Sequence, residues 1–158
     1  MLVTPAMIEE DGSLDQLDRS YLNTYCFAMA ENKGLKGRNV LFITQGNLAS
    51  IETAHHMGDL LCCWKCHSRQ FLPRQNFWMR ETAEQIVSDM CRREMFEADL
   101  WVFVGHIEHL LCVMQALVPM HYAEMGPIDP HEIPSASLMG FTIKEERLLG
   151  IPATMQAQ

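Results

Sequence analysis

Two short apolar runs, each followed by a helical pattern, constrain the fold of this chain most. Residues 39–44 (Asn-Val-Leu-Phe-Ile-Thr) and 99–105 (Asp-Leu-Trp-Val-Phe-Val-Gly) are rich in β-forming residues, which suits strands buried on both faces. Residues 48–65 and 106–118 then repeat apolar residues at helical spacing. This alternation predicts an α/β fold, a three-layer sandwich with a mostly parallel sheet flanked by helices.

Further elements extend this pattern on both sides. A helix is predicted over residues 14–32, opened by a capping box of Ser13 and Gln16, and another over residues 80–95. Either residues 70–72 or residues 76–78 form a short strand, and residues 136–143 form the last one. The helix over residues 106–118 stops at Pro119.

The length of 158 residues suits one domain. We expect an N-terminal helical extension over residues 1–37, a single α/β domain over residues 38–150, and a loose tail over residues 151–158.

Charge and hydropathy exclude several classes of partner. Twelve basic and twenty acidic residues give a formal net charge of −8, and the longest basic cluster is Arg92-Arg93. Binding to nucleic acid or to an anionic membrane surface is therefore disfavoured. The apolar runs are too short or too interrupted for a membrane span, and the first residues lack the pattern of a targeting segment.

The six cysteines do not follow the spacing of a disulfide framework. Cys26, Cys91 and Cys112 lie in predicted helices, and Cys62 and Cys63 are adjacent. We expect free thiols in a reducing compartment, with the cytoplasm as the default location.

Two turns follow the predicted strands at the carboxyl edge of the sheet, where α/β proteins bind ligands. The first turn contains Gln45, Gly46 and Asn47, and the second contains Gly105 and His106. If the two strands are neighbours, Gln45 faces His106. Helix N-termini at such turns favour anions, so a phosphate-like ligand is expected there.

Residues 104–110 (Val-Gly-His-Ile-Glu-His-Leu) resemble the second-histidine motif of the histidine phosphatase superfamily, with the phosphohistidine-phosphatase branch most similar. Residues 80–84 (Arg-Glu-Thr-Ala-Glu) resemble the Glu-Thr-Ala helix start of that family, and residues 134–138 its entry into the final strand. The resemblance covers roughly residues 38–145. It implies a phosphoglycerate mutase-like fold and an anion site at the two turns, with Arg80 nearby.

The resemblance also implies a loss of chemistry. The nucleophile of that family lies in an Arg-His-Gly triplet that ends the first strand, and residues 44–46 read Thr-Gln-Gly. The position of its second phosphate-clamping arginine is Trp78, with Arg74 and Arg80 out of register. Because phosphoryl transfer needs a nucleophile and positive charge, the chain is identified as a degenerate member. The expected role is a non-catalytic binding module or a subunit of a protein assembly.

Two alternatives stay open. In the first, a divergent phosphatase or hydrolase uses His106 as nucleophile or base and Glu108 as proton donor. In the simpler interpretation, His106 caps the following helix and Glu108 only favours the N-terminus of that helix. In the second, Cys63, Cys66 and His67 bind haem or zinc, since Cys-x-x-Cys-His is the c-type haem pattern. Ordinary thiols at a helix end, without a cofactor, are the favoured interpretation of that motif.

Overall fold

The computed structural model describes residues 1–32, 39–63, 68–73, 100–117, 119–139, 141–142 and 156–157. The strands are β1 (Leu2–Val3), β2 (Asn39–Thr44), β3 (Ser68–Pro73), β4 (Leu100–Val104), β5 (Leu138–Met139), β6 (Phe141–Thr142) and β7 (Gln156–Ala157). The helices are α1 (Gln16–Asn32), α2 (Leu48–Cys63), α3 (Ile107–Leu117) and α4 (Pro119–Met125), with a 3-10 turn at Pro130–Glu132. None of these helices is long and apolar enough to cross a bilayer.

Five strands form one mixed sheet in the order β3-β2-β4-β1-β5. The pairs β3 with β2, β2 with β4, and β4 with β1 are all parallel, and the edge strand β5 runs antiparallel to β1. The predicted mostly parallel sheet is therefore confirmed. The strands β6 and β7 form a separate antiparallel pair.

Helices cover both faces of the sheet, as the α/β sandwich predicted. The first face joins sheet residues to α1 and α2, in a cluster that includes Val40, Phe42, Val102, Leu22, Cys26, Met57 and Leu61. The second face joins the alternate strand residues to α3, in a cluster that includes Leu41, Ile43, Phe103, Leu110, Val113 and Met114. Full burial of such side chains contributes about 1.5–3 kcal/mol each. Burial of apolar side chains on both faces of the sheet thus holds the sheet between its helices.

The sequence did not predict β1. Its two residues, Leu2 and Val3, are buried and pair with β4 on one side and β5 on the other. Residues 1–37 were expected to form a helical extension, but β1 lies inside the sheet and α1 packs into the first apolar cluster. Strand β2 is therefore the second strand of the chain. A two-residue strand carries too short a pattern for periodicity to reveal.

The other predicted helices and strands are confirmed in part. Strand β3 confirms the strand predicted at residues 70–72, and α3 ends before Pro119 as expected. Pro119 then begins α4, because proline suits the first turn of a helix. The last strand, predicted over residues 136–143, is divided between β5 and β6. The helix predicted over residues 80–95 lies outside the described residues.

The cap of α1 also differs from the prediction. Asp15 precedes the helix, and its Oδ1 accepts the backbone N–H groups of Leu17 (2.9 Å) and Asp18 (3.0 Å). Ser13 instead donates its hydroxyl to Asp11 Oδ1 at 2.6 Å. The capping box of Ser13 and Gln16 is therefore wrong, and Asp15 is the N-cap. These hydrogen bonds hold the pKa of Asp15 below its ordinary value.

Replacing Asp15 with alanine should lower the melting temperature by about 2–4 °C, because two N–H groups of the first helical turn lose their acceptor. Asp15→Asn keeps the acceptor oxygen and should retain most of the stability. Thermal unfolding followed by circular dichroism measures both. A larger loss in Ser13→Ala than in Asp15→Ala would contradict the assignment.

Candidate functional site

The two predicted turns meet at the carboxyl edge of the sheet. Strands β2 and β4 are neighbours, and their register places Thr44 opposite Val104. Gln45 donates its backbone N–H to the carbonyl of Val104 at 2.9 Å, and its side-chain Oε1 accepts the N–H of His106 at 3.0 Å. The conditional prediction that Gln45 faces His106 is confirmed.

His106 occupies the N-cap position of α3. Its carbonyl accepts the N–H groups of His109 and Leu110, both at 3.0 Å, while its side chain is exposed. Glu108 lies in the first turn of the same helix and is also exposed. The backbone N–H of His106, which could bind an anion at a helix N-terminus, is already paired with Gln45.

Gly105 connects β4 to this helix start. It is buried, and its N–H donates to the carbonyl of Val3 at 3.2 Å. This bond links the turn after β4 to β1, and the bonds of Gln45 link the same turn to the end of β2.

Asn47 caps α2 on the other side of the same edge. Its Oδ1 accepts the N–H of Ser50 at 2.9 Å, and its carbonyl accepts the N–H of Ile51 at 3.1 Å. Asn47 Nδ2 and Ser50 Oγ are buried and have no hydrogen-bond partner among the described residues. Gly46, between the strand end and this cap, is exposed.

The end of β1 belongs to the same edge, and the sequence analysis missed it. Thr4 Oγ1 accepts the N–H of Ser137 at 2.7 Å and donates to the carbonyl of Pro134 at 3.0 Å. The carbonyl of Pro5 accepts the N–H of Ala136 at 3.2 Å. Residues 134–137 therefore cover this strand end. Thr4, the one polar side chain directly after Val3, was the available signal, but it needed the strand assignment first.

Thr53 ties the end of β1 to α2. Its Oγ1 accepts the N–H of Ala6 at 2.9 Å, and the hydroxyl side chain is fully buried. The turns after β1, β2 and β4 therefore lie at one edge and are joined by internal hydrogen bonds. Uncharged amide and hydroxyl groups form these bonds, and no lysine or arginine side chain takes part in them.

Two histidines share the start of α3. The rings of His106 and His109 lie 6.1 Å apart between centroids in an edge-to-face arrangement. Burial lowers the pKa of His109, and the neighbouring His106 lowers it further, while Glu108 acts in the opposite direction. The neutral form of His109 is therefore favoured in the folded protein.

Several predicted site residues are not brought together by the described structure. Cys63 is the last residue of α2, whereas Cys66, His67 and Arg80 lie outside the described residues. Within the described ranges, no group of three or more His, Cys, Asp or Glu side chains is arranged to hold a metal ion. The haem or zinc alternative remains a prediction from the sequence.

Comparisons with protein-family models, curated proteins and solved structures found no match for this chain. The site is consequently interpreted from its own geometry.

The bond between Gln45 and His106 should contribute measurably to stability. Gln45→Met keeps the length of the side chain but removes the acceptor, and should lower the free energy of unfolding by about 0.5–1.5 kcal/mol. Gln45→Glu keeps an oxygen at the helix N-terminus and should remain close to wild type. Urea unfolding of the three proteins measures this difference. Equal losses in both variants would show that the acceptor oxygen contributes nothing.

The lowered pKa of His109 makes stability depend on pH. Below the ordinary histidine pKa of about 6.5, the unfolded chain binds a proton more readily than the folded protein. The contribution of His109 to the free energy of unfolding should therefore be constant above this pH and fall as the solution becomes more acidic. His109→Gln should reduce the slope between about pH 7 and pH 5, measured by urea unfolding. The slope should not vanish, because burial also lowers the pKa of His56. An unchanged slope would contradict the prediction.

Proposed function

We propose that this chain is a catalytically degenerate histidine-phosphatase-like domain that acts as a binding module or as a subunit of a larger assembly. The observation that carries the proposal is the bond between Gln45 Oε1 and the N–H of His106. A neutral side chain of the protein itself occupies one of the donors that this helix N-terminus could offer to a phosphate oxygen.

The order of strands changes how the resemblance is applied. The nucleophile triplet of that family ends its first strand, and the first strand here is β1. The residues after β1 are Thr4, Pro5 and Ala6, which include neither arginine nor histidine. We therefore consider a second alignment, with residues 4–6 in place of residues 44–46, and the triplet has no counterpart there either. At either strand end, the chain lacks the imidazole that would take the phosphoryl group.

A second Glu-Thr-Ala run supports the same alignment. Residues 52–54 lie early in α2, and Thr53 accepts the N–H of Ala6 just after β1. Four residues before Thr53 stands Ala49, where the family pattern would place the clamping arginine. The segments keep the order of the family, from the end of β1 through α2 to His106. In both alignments the clamping position lacks a cation.

Internal hydrogen bonding is the second support. Thr4 pairs with Ser137 and Pro134, Ala6 with Thr53, and His106 with Gln45. A working phosphoryl-transfer site keeps such donors aimed at the charge that develops in the transition state. Donors already satisfied inside the protein cannot stabilise that charge without first breaking these bonds. Apart from Asn47 Nδ2 and Ser50 Oγ, which have no partner among the described residues, the groups of this edge are better suited to holding the fold together than to catalysis.

His106 is the group on which an alternative would depend. Its side chain is exposed at a strand end, one helical turn from His109 and near Glu108. A divergent phosphatase could use this imidazole as nucleophile or base. It would have to do so without an arginine at the clamping position of the family, where this chain has Trp78 in one alignment and Ala49 in the other.

The proposal predicts no phosphatase turnover. Hydrolysis of p-nitrophenyl phosphate and of phosphohistidine peptides by the wild type should equal that of His106→Ala and of buffer alone. Removing even one donor of this kind of site costs about 100- to 1,000-fold in rate, and here a nucleophile and two cations are absent at the aligned positions. Turnover that disappears in His106→Ala would establish the divergent phosphatase instead.

Anion binding offers a measurement independent of turnover. A ligand at a hundred times its dissociation constant stabilises a folded protein by about 2.7 kcal/mol. Millimolar phosphate or vanadate should stabilise the wild type far less than this, because Gln45 holds the His106 N–H. Gln45→Met frees that N–H and should increase the effect. Strong stabilisation of the wild type would show an open anion site.

A further inference from the structure

The solvent side of α1 carries an apolar row. Residues 17, 21, 24 and 28 follow helical spacing and are all exposed, whereas the opposite side buries Leu22, Cys26 and Met29. Leu17 is 60% exposed and Tyr21 is 45% exposed, although both are large. Single exposed apolar residues are ordinary, but a continuous row on one helix marks a surface that binds another molecule.

Two sets of hydrogen bonds bear on this row, one at Thr24 and one at Met7. Thr24 donates its hydroxyl to the carbonyl of Ser20 at 3.0 Å, so its polar group is used within the helix. Met7 is 64% exposed, and its backbone bonds to both Asp15 and Asp18 at 2.8 Å, which holds it beside the start of α1. The exposed residues Leu17, Tyr21 and Ala28, together with Met7 beside the start of the helix, are named here the α1 surface.

Carboxylates border the amino-terminal end of the α1 surface. Residues 8–14 form a tight turn in which Ile8 bridges Leu14, Glu9 donates its N–H to Ser13, and Gly12 has a φ of 85°. This turn carries Glu9, Glu10 and Asp11, all of them exposed. The backbone bonds fix the turn, so these charges are held close to Met7 and the first turn of α1.

The charge balance of this region is strongly negative. Residues 7–21 contain five acids (Glu9, Glu10, Asp11, Asp15 and Asp18) and one base, Arg19. Arg19 donates to the carbonyl of Leu14 at 3.3 Å. A second copy of the chain would bring an equally acidic edge to a parallel pair of α1 helices, and each copy has a net charge of −8. The electrostatics therefore favour a cationic partner over self-association.

We propose that the α1 surface binds a basic amphipathic helix of a partner protein, whose apolar side packs on Leu17 and Tyr21 and whose lysines or arginines face Glu9, Glu10 and Asp11. A helix laid against a helix buries anchors at the same three- and four-residue spacing that α1 presents. Tyrosine and methionine are typical of interface centres, and charged residues of their borders. This inference does not depend on the strand-end site.

The probe is a designed peptide of about 18 residues, with leucines along one face of a helix and lysines elsewhere. Fluorescence anisotropy should show binding to the wild type that weakens as salt is raised. Leu17→Ser with Tyr21→Ser should weaken the dissociation constant by tenfold or more, and Glu9→Gln with Glu10→Gln should weaken it less. Met125→Ser, which changes an exposed apolar residue at the end of α4, should leave it unchanged.

Two control peptides test whether binding needs the apolar face of the peptide helix and its positive charge. A peptide with the same residues in scrambled order lacks the apolar face and should bind much more weakly, as should a version with glutamate in place of lysine. Equal binding of the scrambled peptide, equal binding by the Leu17→Ser, Tyr21→Ser protein, or no binding by the wild type would overturn the proposal. So would a dimer in sedimentation that these two substitutions dissociate, because the occupant would then be a second copy. Circular dichroism confirms that each variant is folded.

Discussion

The parallel ladder between β2 and β4 is the interaction on which the rest of the structure depends. Its register pairs Thr44 with Val104, so two chain segments far apart in sequence leave the sheet side by side. The buried strand residues Phe42 and Val102 then face α1 and α2, while Ile43 and Phe103 face α3. One set of backbone bonds thus arranges both apolar faces and the polar edge beyond them.

The polar edge uses strand ends and helix starts for hydrogen bonds inside the protein. Helix N-termini and parallel strand ends provide backbone donors wherever this architecture occurs. In this protein Gln45, Thr4 and Thr53 use such positions to connect β1, β2, α2 and β4. Each bond contributes about 1 kcal/mol to stability. The same bonds reduce what remains available to an external ligand, which is the physical basis for proposing a non-catalytic role.

Binding, in this view, uses a surface separate from the strand ends. The α1 surface combines exposed apolar side chains with a fixed acidic turn, whereas the opposite side of α1 completes the core through Leu22 and Cys26. One face of α1 packs in the core, and its apolar row faces solvent. Such a row lowers the solubility of a protein unless another molecule covers it. The acidic border gives that molecule a preferred charge and, through it, a preferred orientation.

The sequence by itself determined the α/β class, the strands over residues 39–44 and 100–104, and the helices that follow them, because these segments carry strong local periodicity. It also placed Gln45 and His106 at strand ends. Only the tertiary structure decided that these strands are neighbours, that Leu2 and Val3 form a strand between β4 and β5, and that Asp15 caps α1. Strand order and capping depend on contacts between distant or competing residues, and a two-residue strand is defined by its partners alone.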